Sequence, residues 1–149
     1  DTNSKELLDI LKAKPFLVKP NQAELSQLFN QPIQSKTDAI YYGKKLQEGG
    51  AQNVIVSLGG DGAIFIDDQE TYIAASPRGK VINTVGSGDS MIAGFMAGIE
   101  KGLSKLEAFK LSVQCGSATA FSEDLATKDA ILALSNQVEI ERVEDNEND

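Results

Sequence analysis

Histidine and tryptophan are absent from the 149 residues, and Cys115 is the one cysteine. Without histidine, Ser-His-Asp and Cys-His catalysis and histidine-ligated zinc are excluded. A general base must then be a carboxylate, a lysine or a tyrosine. One cysteine excludes an internal disulfide, which fits a reducing, cytoplasmic compartment. The expected role of Cys115 is that of a small buried hydrophobe. Long apolar runs are missing as well. Those at 54–56 and 63–66 are far too short to span a bilayer, and no charged-then-apolar leader opens the chain. No membrane partner is expected. Basic charge is scarce: 14 Lys and Arg stand against 22 Asp and Glu, for a net charge of −8. That balance argues against a nucleic-acid partner. Much of the acid lies near the end, in Glu139, Glu141, Glu144, Asp145, Glu147 and Asp149. Residues 144–149 read as a solvated acidic tail.

What remains is the composition of one globular domain, 41% hydrophobic. Asn3 and Glu6 have helix-capping spacing, before an apolar stripe of Leu7, Leu8 and Leu11. Pro15 ends that helix, and 16–19 reads as a short buried strand. Asn21 and Glu24 repeat the capping spacing before Leu25, Leu28 and Phe29. Ser35 opens a longer helix that Gly49-Gly50 closes. A dense apolar strand at 54–58 meets a tight turn, Gly59-Gly60-Asp61-Gly62, and a return strand at 63–67. Another strand covers 72–75, and an extended piece covers 80–83. A helix from about Asp89 to Lys101 is expected to carry Met91, Ile92, Phe95 and Ile99 on one side. Its small residues Ala93, Gly94, Ala97 and Gly98 would let a neighbour come close. Ser104 with Glu107 caps the next helix, Thr127 caps a short one, and 138–143 is a last strand. Alternation of this kind predicts an α/β fold with a mostly parallel sheet.

Three segments carry chemistry. In Asn83-Thr84-Val85-Gly86-Ser87-Gly88-Asp89-Ser90, two glycines flank a serine where an extended piece becomes a helix. Glycines let backbone amides converge on one spot, and a helix N-terminus adds unpaired N–H groups and partial positive charge. The result suits an anion or a developing oxyanion. Asp89, in the first turn, is either a proton acceptor or simply a capping residue. A P-loop would need Gly-Lys-Ser/Thr, but Asp89 follows Gly88. The dinucleotide fingerprint would need a glycine where Met91 stands, which disfavours an NAD dehydrogenase. In the second segment, Lys19 could meet a phosphate while Asn21 and Glu24 hold magnesium-bound water; a plain capping box is the simpler reading. The third, Ser57 to Gly62, is either an ordinary hairpin turn or a ligand-binding loop at the carboxyl edge of a sheet.

In this order the three segments resemble the ribokinase-like carbohydrate kinases, the PfkB family, along nearly the whole chain. The string 84–91 with Ala93-Gly94 is similar to that family's C-terminal signature. The resemblance implies a ribokinase-like layered α/β/α fold, of which this chain is the C-terminal half. Residues 1–143 would be the nucleotide-binding and catalytic-base part, without the N-terminal half and its lid. Gly86, Ser87 and Gly88 would form the anion hole for the migrating phosphoryl group, and Asp89 would take the proton from the sugar hydroxyl. Lys19, Asn21 and Glu24 would serve phosphate and Mg2+, the last two through water. Ser57, Gly59, Gly62, Val85, Gly116, Thr119 and Ser122 would lie on the ATP side. The strings Gly116-Ser117-Ala118-Thr119-Ala120-Phe121 and Asp124-Leu125-Ala126-Thr127 resemble the branch that phosphorylates ketohexose phosphates. Fructose 1-phosphate is the expected substrate and tagatose 6-phosphate the alternative. A half-sheet would bare an apolar edge, so pairing with a second copy is expected. A non-catalytic ATP-binding module and a plain interaction domain are the competing classes.

Overall fold

The computed structural model describes residues 4–77, 79, 86–121 and 127–143. The Asn3 cap, the extended piece at 80–83, Val85, Ser122 and the acidic tail at 144–149 lie outside the described residues.

Local signals set the elements. Helix α1 (Ser4–Lys12) stops before Pro15 and is followed by strand β1 (Leu17–Val18). Helix α2 (Gln22–Phe29) starts at Asn21, and α3 (Lys36–Gly49) starts at Ser35, whose hydroxyl accepts from the Asp38 N–H. Strands β2 (Asn53–Ser57), β3 (Ala63–Ile66) and β4 (Thr71–Ala75) follow. Helices α4 (Ser87–Glu100), α5 (Lys105–Ala120) and α6 (Lys128–Ala133) precede strand β5 (Glu139–Arg142). No helix of the described residues is long and apolar enough to cross a membrane.

The strands form one sheet in the order β1-β2-β3-β4-β5. The α/β expectation holds, but the sheet is mixed rather than mostly parallel. Strand β1 runs parallel to β2, whereas β2 and β3 are antiparallel. The reason is the turn at 59–62: so short a connection returns the chain antiparallel, while a parallel partner needs a crossover such as α2 and α3 provide.

Two compact units are resolved, one built from 1–59, 63–73 and 142–149, the other from 60–62 and 74–141. In the first, Val54 and Val56 of β2 share a face with their cross-strand partners Ile66 and Ile64. Leu11 of α1, Leu25 of α2 and Ala39 and Leu46 of α3 pack on that face. Ile55 and its partner Phe65 point the other way and are also fully buried. Burial on both faces explains why β2 and β3 read as unbroken apolar runs. The Leu8 side chain of α1, expected in the stripe, is 58% exposed, while Leu11 is buried. Buried Asn53 donates from Nδ2 to the Phe16 carbonyl at 2.8 Å, fastening the entry of β1 to β2.

In the second unit α4 and α5 lie antiparallel, because contacts climb one helix as they descend the other. A Cβ on Gly98 would fall 2.9 Å from the Ala108 Cα, and one on Gly94 would fall 2.8 Å from the Cys115 Sγ. The buried stripe of α4 is Met91, Gly94, Phe95 and Gly98. That mixes the two faces expected from sequence, and Ile92 is 39% exposed. Positions i, i+3, i+4 and i+7 share a helix face, so glycine and aromatic residues fall on the same stripe.

Candidate functional site

Because β1 and β2 are parallel, the loops leaving them emerge at the same sheet edge. The Ser57 N–H donates to the Pro20 carbonyl at 3.0 Å, and Asn21 and Ser57 form an isolated parallel bridge. The segment at 19–24 is thereby set beside Ser57 and the start of the glycine turn, although the two are more than thirty positions apart in sequence. This is the carboxyl edge, where α/β sheets place ligands.

The Asn21–Glu24 pair is a complete capping box. The Glu24 N–H donates to Asn21 Oδ1 at 2.7 Å, and the Asn21 N–H donates to Glu24 Oε1 at 2.9 Å. Both residues are exposed. The box uses Glu24 Oε1 of an exposed side chain, which fits an outer contact to the water shell of Mg2+, an ion that gives up its waters reluctantly. It does not fit a dehydrated metal. No cluster of three or more His, Cys, Asp or Glu side chains able to hold a metal occurs among the described residues. Lys19 is half-buried just after β1.

The turn Gly59–Asp61 is a single exposed 3-10 turn. A Cβ on Gly59 or Gly60 would meet nothing within 4 Å, so its surface is open to a ligand. Gly62 differs. Its φ is +105°, and a Cβ there would fall 1.9 Å from the Ala74 carbonyl oxygen. The fold itself requires glycine at that position.

In the second unit, the N-terminus of α4 holds the other candidates together. Gly86 is the N-cap at φ +83° and contributes no side-chain cap. The first intrahelical bond here is Ser90 N–H to the Gly86 carbonyl, 2.8 Å. The N–H groups of Ser87, Gly88 and Asp89 therefore have no partner within the helix. The helix dipole adds partial positive charge at the same place. Gly86, Ser87 and Gly88 are half-buried, and Asp89 is exposed. An accessible carboxylate thus stands beside main-chain donors that have no partner among the described residues.

Gly116 and Thr119, expected on the nucleotide side, are buried and turned toward α4. The Ser87 hydroxyl donates to the Gly116 carbonyl at 2.9 Å, and the Ser90 and Thr119 hydroxyls are bonded at 2.8 Å. The Ser112 hydroxyl donates to the Met91 carbonyl at 2.8 Å. Ser90 and Ser112 escaped the sequence reading, because a hydroxyl inside a helix carries no local sign of a partner on another helix. Burial pushes the Cys115 thiol up, partly offset by Lys101. A thiol kept protonated is a poor nucleophile, although Cys115 is half-buried rather than buried as expected.

The profile described as "pfkB family carbohydrate kinase" matches residues 1–130. The 1-phosphofructokinase of Bacillus subtilis is 48% identical over 143 residues, 96% of this chain and 47% of that protein. The D-tagatose-1-phosphate kinase of Bacillus licheniformis is 39% identical over 141 residues, 94% of this chain and 46% of that protein. A crystal structure from Staphylococcus aureus, assigned as a phosphofructokinase, superposes with a TM-score of 0.89 at 50% identity. It covers 96% of this chain and 47% of its own. The chain spans about half the length of the relatives it matches.

Proposed function

The chain belongs to the pfkB family of carbohydrate kinases, and from that premise we propose that it supplies the ATP-binding and proton-accepting part of a ketohexose-phosphate kinase. The reaction is transfer of the γ-phosphoryl group of ATP to fructose 1-phosphate, giving fructose 1,6-bisphosphate and ADP. Residues 1–143 are the nucleotide-binding and base-carrying part. The sugar-binding half and its lid belong to the length of the relatives that this chain does not span. The observation that carries the reading is the N-terminus of α4, where exposed Asp89 adjoins N–H groups of 87–89 that have no partner within the helix.

The sugar O6 attacks phosphorus in line with the departing ADP oxygen, and its proton passes to the Asp89 carboxylate. The amides of Ser87, Gly88 and Asp89 stabilise charge on the transferring group, each donor being worth about 2.7–4 kcal/mol in comparable oxyanion sites. Asn21 and Glu24 would hold the water shell of Mg2+, which would supply neutralisation of phosphate charge, and Lys19 would meet a phosphate. The open turn at Gly59 and Gly60 receives the nucleotide beside Ser57. Exposed Leu8 and Ile10 on α1 favour association with a second copy. The cytoplasm is the proposed location.

Fructose 1-phosphate ranks first because the 48% identical relative carries that activity in its name. A tagatose phosphate ranks second, and the relative so named favours the 1-phosphate over the 6-phosphate. A coupled ADP-release assay with fructose 1-phosphate, tagatose 1-phosphate and tagatose 6-phosphate tests this, in a chain of the relatives' full length that carries these 149 residues. The highest kcat/KM is expected for fructose 1-phosphate. Tight Mg-ATP binding without transfer to any of them would instead favour a non-catalytic module.

A further inference from the structure

We propose that the hydroxyl pair of Ser90 and Thr119, with the Ser87–Gly116 bond beside it, is the positioning element that fixes the direction of Asp89. The inference rests on the reading of Asp89 as the base.

The first turn of a helix is its least constrained part, since its N–H groups lack partners within the helix. Most helices repair this with a side-chain cap, as Ser104 does for α5. At α4 the cap is Gly86, which has no side chain to give. The turn that carries the proposed base is therefore fastened from elsewhere. Ser87 and Ser90 are three apart and share the face that meets α5. One donates to the Gly116 carbonyl and the other bonds the Thr119 hydroxyl. Asp89 lies between them on the opposite side, in solvent. Both neighbours of its turn are pinned while its own side chain is left free to work.

The surroundings suit a positional role. Thr119 is 2% exposed, so its hydroxyl has no water to fall back on, and a buried hydroxyl without a partner is unfavourable. Gly116 allows the close approach: a Cβ there would lie 2.4 Å from the Met91 Cγ and 3.3 Å from the Ser87 carbonyl oxygen. Together these contacts make α5 the reference surface against which the α4 amides and the Asp89 carboxylate are aimed. Small displacements of a reacting group are costly, which gives such an anchor its value.

The test uses Ser90→Ala, Thr119→Val, their double variant and the conservative Thr119→Ser. In the present chain, amide hydrogen exchange at Ser90 and Met91 is expected to quicken about tenfold in the first three, with the centre of α5 unchanged. Thr119→Ser keeps the hydroxyl and should match the parent. In the full-length chain, kcat should fall about tenfold or more while the KM for Mg-ATP stays within about twofold. The double variant should be no worse than either single one, since the two side chains make one bond. Unchanged exchange in the first turn overturns the proposal, and so does faster exchange throughout α4 and α5, the sign of a merely structural contact. Unchanged kcat in these variants, alongside a collapse in Asp89→Asn, overturns the positioning role and leaves the base intact. Normal turnover in Asp89→Asn overturns both. Should Thr119→Val fail to fold, Ser90→Ala set against Thr119→Ser decides the matter alone.

Discussion

Tyr72 shows how one side chain can report on the fold. Its hydroxyl donates to the Glu70 carboxylate, and Arg142 Nε lies 3.9 Å from the other Glu70 oxygen. The Tyr72 hydroxyl is pushed up to about 12, first by that hydrogen bond, then by burial and the Glu70 charge. An unfolded tyrosine titrates near 10. Between these values the unfolded chain gives up the proton and the folded chain keeps it. The stabilising contribution is thus complete below about pH 10 and is lost as pH rises toward about 12. Denaturant midpoints of the parent and Tyr72→Phe, taken across that range, should differ at neutral pH and converge in alkali. A difference that stays constant up to about pH 12 would show that the Glu70 bond is not the cause. At the same scale Gly62 and Gly59 part company. The resemblance sets both on the ATP side, yet the positive φ of Gly62 and the nearby Ala74 carbonyl already require glycine there.

Among the elements, helix starts were the most legible. Asn21, Ser35, Ser104 and Thr127 all cap where spacing says they should, because a cap is settled within four residues. The pairing of β1 with β2 was not legible, since it depends on a crossover through two helices. The bonds between α4 and α5 were equally hidden: Ser90 and Thr119 are 29 positions apart, and no local pattern marks them. The family resemblance sets Gly116 and Thr119 on the ATP side, and their contacts with Ser87 and Ser90 of α4 carry no local sign in the sequence. The capping box of α2 separates a structural part from a chemical one. Asn21→Ala should cost about 1 kcal/mol, read from urea unfolding, by removing the cap of an eight-residue helix. Glu24→Gln keeps an acceptor for the Asn21 N–H, so stability should hold to within about 0.5 kcal/mol. The Mg2+ concentration that half-saturates ATP binding should nevertheless rise. An unchanged midpoint would confine Glu24 to capping.

For the molecule as a whole, the family signature was readable without coordinates because it is contiguous, from Thr84 to Met91. Its described part, Gly86 onward, forms the start of α4. A glycine start, amides without partners in the helix and an exposed carboxylate occupy one helix end. The substrate is less legible, since the chain covers about half the length of its relatives. Everything proposed for the reaction returns to Asp89. Its substitution by asparagine preserves shape and removes the negative charge and with it the ability to accept a proton. The decisive measurement is kcat for fructose 1-phosphate together with the Mg-ATP dissociation constant, in Asp89→Asn and its full-length parent. The account predicts a loss of about 10²- to 10⁴-fold in kcat, the usual share of a general base, with ATP affinity nearly unchanged. Turnover within a few fold of the parent would contradict it.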